Sequence, residues 1–399
     1  MNFEEWLSGT NYNDTRKNQL REALERSNGQ PSVRKCRHVE QHMKRESYPQ
    51  YKHARTINSR CDEFKAWSGP IFKSIENVVY KLTDNAGKPY FVKHMTNEQK
   101  MKRILSMSVP GRKYYATDFT SFESHFTPEV MRSIEFVLYE QALKNYPHYL
   151  KKIKRVLAGT NSIHNRLGVR CRLKGRRMSG DMNTSLGNGF SNLMLCLYAS
   201  SLGHANYFDG VFEGDDGLFS TDAHIDEQLF RNLGWNVKIE VHDSVETASF
   251  CGVVTSGDGN MLKRPERVLS SLTWNSTHVF CKHRTAMELF RAKIMSAAVD
   301  CGHCPIICAV LHYYDKMTES YTPRFENRYV RDKVARNRDR WIGEPTDRDR
   351  STFEMVYGIS VATQIACEQT AKVGDFSILA TVLSASKDMG DYRTRYLEY

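Results

Sequence analysis

The chain has 399 residues, 40% hydrophobic and 26% charged, with 57 Lys and Arg against 46 Asp and Glu. That mass can bury a sizeable core, or two or three subdomains sharing one, and a formal net charge of +11 favours a polyanionic partner, nucleic acid first and an acidic membrane surface second. The ten Cys lack framework spacing and read as reduced cytosolic thiols rather than a secreted disulfide scaffold, and no apolar run approaches the ~20 residues that span a bilayer.

Residues 1 to about 110 are basic and mixed. The start, MNFEEWLSGT, is acidic and lacks the apolar core of a secretory signal. FEEWLSGTNYNDTRKNQLREALER is helix-forming at both ends with a Ser-Gly-Thr-Asn break between, and the cationic tract HMKRESYPQYKHARTINSR follows. From 111 to 260, β-type runs (KYYATDF, ANYFDGVFEG, WNVKIEVH, ASFCGVVT) alternate with helix-type runs (PEVMRSIEFVLYEQALKNY, MNTSLGNGFSNLMLCLYASSL). This is the pattern of an α+β unit with an antiparallel sheet. Thr127 can cap a helix that Pro128 opens. From about 261 the pattern is mostly helical and includes the basic, acid-interleaved RFENRYVRDKVARNRDRWIGE. Cys281, His283, Cys301, His303, Cys304 and Cys308 can supply a tetrahedral zinc site. Their spacing matches no standard finger, and Ile306, Ile307 and Cys308 look like a buried helix.

The chemistry concentrates in three segments. VFEGDDGLFS sets Asp215 and Asp216 side by side between Gly214 and Gly217, flanked by strand-like residues. Gly and Asp favour such turns, so a hairpin tip at Gly214 to Gly217 accounts for the doublet by itself. KYYATDFTSFESHF, however, puts Asp118 at the end of another β-type run. Aspartates at a strand end and at a hairpin tip can face one pair of divalent ions, and hard oxygen ligands suit Mg²⁺. GRRMSGDMNTSLGNGFSNLML leads from a small-residue loop into a helix carrying Thr184 and Asn188, four apart and so on one face. Leu186, Phe190, Leu193 and Met194 make that helix largely buried, so its polar groups need partners.

In order along the chain, these segments resemble the palm motifs of positive-strand RNA virus RNA-dependent RNA polymerases. DFTSFE resembles motif A, SGDMNTSLGN motif B, GDD motif C, LGWNVKIE motif D and SFCG motif E, and KHARTINSR upstream is similar to the basic motif F. RRMSGDMNTSLGN and FCG point towards tombusvirus-like and nodavirus-like replicases, over roughly residues 40 to 255. Any one motif is weak, whereas six in order are specific.

The resemblance implies a right-hand polymerase of α+β class, with an antiparallel palm sheet flanked by helices. Fingers would span 1–110, with motif F at about 44–60, and a fingers insertion 138–175. The palm would comprise 111–137 and 176–260, and a mostly helical thumb 261–399. It implies Asp118 and Asp215 as principal ligands of two Mg²⁺ (or Mn²⁺) ions, with Asp216 secondary. Lys238 would donate a proton to the leaving pyrophosphate. Lys52, Arg55 and Arg60 would neutralise the triphosphate, and Ser179, Gly180, Thr184, Asn188 and Glu123 would complete the nucleotide site. Glu123 departs from the family's usual Asp five residues after the first motif A aspartate, which bears on how ribose is read. The implied partners are RNA template and product, NTPs, and a membrane-anchoring replicase region or partner, in host cytoplasm at membrane-associated replication complexes. The rival readings are a reverse transcriptase, against which Thr184 and Asn188 argue as groups suited to a 2′-hydroxyl, and a non-catalytic RNA-binding or capsid protein, which leaves the paired aspartates unexplained.

Overall fold

The structure is a computed structural model and describes residues 1–44, 55–272, 278, 280–337 and 342–384. The chain mixes helices with mostly antiparallel sheets, and its described residues fall into two compact units. The first holds residues 1–44, 55–94 and 109–243, and the second holds 95–108 with the described part of 244–384. The segment 244–260 therefore belongs with the helices that follow it.

The strands of the first unit are β1 (His38–Met43), β2 (Thr56–Arg60), β3 (Tyr114–Phe119), β4 (Thr160–Asn165), β5 (Arg170–Lys174), β6 (Phe208–Glu213), β7 (Asp216–Thr221) and β8 (Val237–His242). One sheet, in the order β6-β7-β3-β8, is antiparallel throughout. The other runs β2-β1-β4-β5 and contains one parallel pair, β1 with β4. β3 is apolar on both faces because it lies inside its sheet, and Asp118 is its one exposed residue. Tyr115 stands opposite Phe219 of β7 and stacks on it at 5.4 Å between ring centres, a cross-strand pair that resists slippage. The helix Thr184–Leu202 packs on β6 and β7 and buries Leu186, Leu193, Leu195 and Cys196.

Local signals behave as their chemistry dictates. Asn2 and Asn13 cap the helices Phe3–Ser8 and Asp14–Arg26, with the break between them. Thr127 accepts from the Val130 amide, and Pro128 opens the helix Pro128–Ser133. The run from Pro128 onward is not one helix, however. It breaks at Ile134 and resumes as Glu135–Ala142, where Glu135 is drawn inward to a buried arginine.

In the second unit the expected single run ASFCGVVT is a small hairpin. β9 (Ser249–Phe250) and β10 (Val253–Thr255) are antiparallel across Cys251 and Gly252, whose φ values are 53° and 72°. Two successive left-handed residues match the twist of the flanking strands. β11 (Met261–Leu262) completes a three-stranded sheet. Helices follow, the longest being His283–Cys301 and Ile307–Thr318, around a core that includes Ile306, Ile307, Leu311 and Phe353. Cys308 lies in the second of these helices, and the buried thiols of Cys301 and Cys304 approach the carbonyls of Ala297 and Lys263. Asp349 is buried and accepts from Ser256 at 2.5 Å and Asn260 at 2.8 Å, which fixes the strand connection to the helix Asp347–Tyr357. Among the described residues no helix is long and apolar enough to cross a membrane.

Candidate active site

β6 and β7 meet in a two-residue turn. Glu213 pairs with Asp216, so the turn is Gly214-Asp215, with Gly214 at φ 65°. The turn expected over Gly214 to Gly217 is thus shorter, because Asp216 and Gly217 already belong to β7. Glycine suits the first turn position because that φ strains any side chain. On β3, Thr117 pairs with Gly217, which brings Asp118 level with the start of β7. On its other side Asp118 pairs with Lys238 of β8. One end of a single sheet therefore carries Asp118, Asp215, Asp216 and Lys238.

The charges at this end act on one another. Asp215 is accessible at the turn, yet atoms packed around it desolvate its carboxyl and raise its pKa. Glu123 and Asp118 raise it further, while the backbone and Arg55 pull it down. Arg55 is exposed and close enough to Asp215 to be felt. Lys238 is held protonated first by Glu240, whose Oε1 lies 2.5 Å from its Nζ, and Asp118 adds to the effect. Among the described residues no group of three or more His, Cys, Asp and Glu is gathered tightly enough to hold a metal.

The helix Thr184–Leu202 reaches this end through two asparagines. Asn192 is fully buried, and its Nδ2 donates to the Asp215 carbonyl at 2.9 Å and to that of Gly214 at 3.4 Å. The turn that carries Asp215 is thereby clamped from below. One helical turn earlier, Asn188 donates through Nδ2 to Glu123 Oε1 at 3.2 Å. An ionised carboxylate only accepts, so the amide must present its NH₂ to Glu123. That leaves Asn188 Oδ1 buried without a hydrogen-bond partner.

Thr184 is not brought to this pair. Its Oγ1 lies 2.9 Å from the carbonyls of both Met178 and Asp181, so it secures the loop that precedes its helix. Ser179 and Gly180 tie that loop to β2. Ser179 Oγ accepts from the Asn58 amide and donates to the Thr56 carbonyl, both at 3.1 Å, and the Gly180 amide donates to Asn58 at 2.9 Å. A Cβ on Gly180 would stand 2.5 Å from Ser59 Oγ and 2.8 Å from Asn58 O, so only glycine permits this approach.

Arg60 does not present its guanidinium to a triphosphate here. It is buried, pairs with Asp181 at 2.9 Å with both side chains 1% exposed, and donates to Asn161 and the Cys36 carbonyl. The loop's other end is held alike. Arg177 forks onto Glu135 at 2.6 and 3.2 Å, Asn183 donates to Glu135 at 2.6 Å, and the Tyr139 hydroxyl joins them. Burial raises the Tyr139 pKa, with Glu135 reinforcing it, so that hydroxyl keeps its proton. Lys52 lies outside the described residues.

Asn192 and the Arg177–Glu135 pair were not singled out from sequence. Asn192 was findable, since Thr184, Asn188 and Asn192 recur every four residues on a buried helix. Glu135 carried no such signal, because its partner is 42 residues away.

Comparison with known proteins places the chain in a family. A family profile for viral RNA-dependent RNA polymerases matches residues 10–377. An RNA-directed RNA polymerase of Carnation mottle virus is 25% identical over 336 residues, covering 79% of this chain and 43% of the relative. That of Tobacco necrosis virus (strain D) is 23% identical over 354 residues, covering 79% and 46%. That of Panicum mosaic virus is 32% identical over 188 residues, covering 45% and 18%. The chain spans less than half the length of these curated relatives. With the profile covering most of its residues, the chain belongs to the family of viral RNA-dependent RNA polymerases.

Proposed function

We propose that this chain catalyses template-directed nucleotidyl transfer from NTPs to an RNA 3′-hydroxyl, copying a viral RNA genome. The observation that carries the reading is the convergence of Asp118 and the clamped Asp215 turn at one end of the β6-β7-β3-β8 sheet, beside the Glu123–Asn188 pair. On this reading the sheet and the helix Thr184–Leu202 form the palm, the β2-β1-β4-β5 sheet belongs to the fingers, and the helical unit is the thumb. RNA template and product and NTPs are the partners. A membrane-anchoring replicase region or partner, in host cytoplasm at membrane-associated complexes, completes the setting.

The residues fit a pair of divalent ions. The donor set is oxygen only, and beyond the desolvation that raises the Asp215 pKa, the added repulsion from Glu123 and Asp118 is what a cation would offset. Mg²⁺ takes one or two carboxylates and completes its shell with water and substrate phosphates, so a closed three-ligand cage is not needed. Asp118 and Asp215 would hold Mg²⁺ or Mn²⁺, with Asp216 secondary. When bound, the pair would supply an activated 3′-hydroxyl and charge neutralisation at the triphosphate. The chain's own groups do the rest. Arg55 would offer forked donors to phosphate, Lys238, across the register from Asp118 and now held by Glu240, would give a proton to the leaving pyrophosphate once released from that partner, and Asn188 Oδ1 would accept from a 2′-hydroxyl. That last feature favours ribonucleotides and speaks against a reverse transcriptase.

The test is templated incorporation of labelled NTPs with and without Mg²⁺ or Mn²⁺. Asp118→Ala and Asp215→Ala are expected to abolish incorporation and keep RNA binding, and Asp216→Ala to be milder. A wild-type chain that binds RNA but incorporates nothing with either metal would be a binding protein.

A further inference from the structure

We propose that the β4–β5 hairpin and the basic surface around it form a docking surface for an anionic lipid bilayer, independent of the polymerase reading. Residues 141–180 contain eleven Lys and Arg and no Asp or Glu, leaving 46 cations against 46 carboxylates in the rest of the chain; Arg177 is buried on Glu135, so ten of the eleven can contribute to the surface. The whole net charge of the protein thus resides in one tenth of its length. The amphipathic helix Pro147–Leu157 turns Ile153, Val156 and Leu157 inward. β5 is the edge of its sheet and every residue of it is exposed. Arg170, Arg172 and Lys174 alternate along it and so share one face, and register sets them beside His164, Ser162 and Thr160 of β4.

What selects a bilayer over RNA is the hairpin tip. Leu167 is 83% exposed and Val169 is 59% exposed, on either side of Gly168, and Arg166 and Arg170 flank them. The tip is a built turn. Asn165 Oδ1 accepts from the amides of both Leu167 and Val169 at 3.0 Å, and the Asn165 amide donates to the Val169 carbonyl at 3.1 Å. Phosphate recognition by RNA contact uses the cations but has no use for two aliphatic side chains held in water. A bilayer uses both, since aliphatic groups enter the headgroup boundary while a collar of cations meets anionic lipid.

The experiment is co-sedimentation of the full chain with phosphatidylcholine vesicles, alone or with about one third phosphatidylserine. The protein is expected to bind the phosphatidylserine vesicles, to ignore pure phosphatidylcholine, and to be released by high salt. At about fivefold per cation, Arg170→Gln, Arg172→Gln and Lys174→Gln together are expected to weaken binding roughly a hundredfold. Leu167→Ser with Val169→Ser, which removes no charge, is expected to weaken it at least about tenfold. All five positions are exposed, and an unchanged urea midpoint verifies folding. The proposal is overturned if the tip variant binds phosphatidylserine vesicles as wild type does, or if both vesicle types bind alike. It is equally overturned if no vesicle binds; loss of affinity for a single-stranded RNA oligomer in the charge variant alone would then make this an RNA surface.

Discussion

Asn192→Ala is the sharpest test of how the site is held. The change removes a buried donor that reaches the Asp215 carbonyl at 2.9 Å and the Gly214 carbonyl at 3.4 Å. A net hydrogen bond contributes about 1 kcal/mol, and at an accessible turn water can reach the freed carbonyls. The longer contact adds little, so a global loss of roughly 1 kcal/mol is expected, read as a lower urea midpoint with an unchanged slope. The catalytic loss should be larger than this. A displacement of about 1 Å in a positioned group can cost about 100-fold in rate, and the turn carrying Asp215 has lost its floor. Single-turnover incorporation at saturating NTP, corrected for folded fraction, is therefore expected to fall at least tenfold to a hundredfold, with the KM for NTP little changed. Asn192→Asp should be worse, because it sets a carboxylate oxygen against the same carbonyls. If corrected kcat for Asn192→Ala equals wild type, Asn192 is ordinary core and the clamp positions nothing.

Four further outcomes follow from the same geometry. Because desolvation, with Glu123 and Asp118 adding to it, raises the Asp215 pKa, protons compete with metal at higher pH than for an ordinary aspartate; the acid limb of activity should move to lower pH as Mg²⁺ is increased, and a limb insensitive to Mg²⁺ would contradict this. In the metal-free protein the folded state holds that proton to higher pH than the unfolded chain, so stability falls as pH rises between the two pKa values, and Asp215→Asn should raise the urea midpoint at neutral pH. Asn188→Ala or Glu123→Ala should cut NTP use far more than dNTP use, narrowing the ratio of kcat/KM values, whereas equal losses would place the ribose sensor elsewhere. Arg60→Met alone should cost about 3–5 kcal/mol by stranding Asp181, and Arg60→Met with Asp181→Leu should recover most of it; a normal urea midpoint for the single variant would remove Arg60 from the buried frame.

The parts of the site readable from sequence are those whose signal is local. Asp118 closes a β-type run and Asp215 sits beside a turn glycine, so both could be set at strand ends from a few neighbouring residues. Asn188 and Glu123 could be nominated but not paired, because 65 residues separate them. Arg60 shows the limit most clearly. In a basic tract it looks like every other arginine, and what takes it out of the phosphate-binding set is Asp181, 121 residues away. Fold errors have the same origin. The Cys251-Gly252 turn lacks the usual Asn-Gly or Asp-Gly signal, so a hairpin read as one strand. Glu135 sits in the apolar run IEFVLY, and nothing nearby discloses that it turns inward and breaks the helix.

The first unit treats its charges in two opposite ways. Arg60–Asp181 and Arg177–Glu135 are paired at 1% exposure, and Asn161 and Asn183 add hydrogen bonds to them, although Arg60 Nη2 and Arg177 Nε stay buried without a partner. Such pairs add little net stability over apolar side chains of the same shape. Each does, however, demand one position of the loop that joins β5 to the helix Thr184–Leu202, and so one position of Asn188 and Asn192. Asp118, Glu123 and Asp215 are handled the other way: packing desolvates the Asp215 carboxyl and raises its pKa, and the charges of Glu123 and Asp118 add to the rise. A chain selected for stability alone would have placed those guanidiniums among these carboxylates. Here they are committed to the frame, and the repulsion is left where an incoming cation or nucleotide can relieve it. The arrangement costs stability in the empty protein and makes the free energy of ligand binding larger by the same amount.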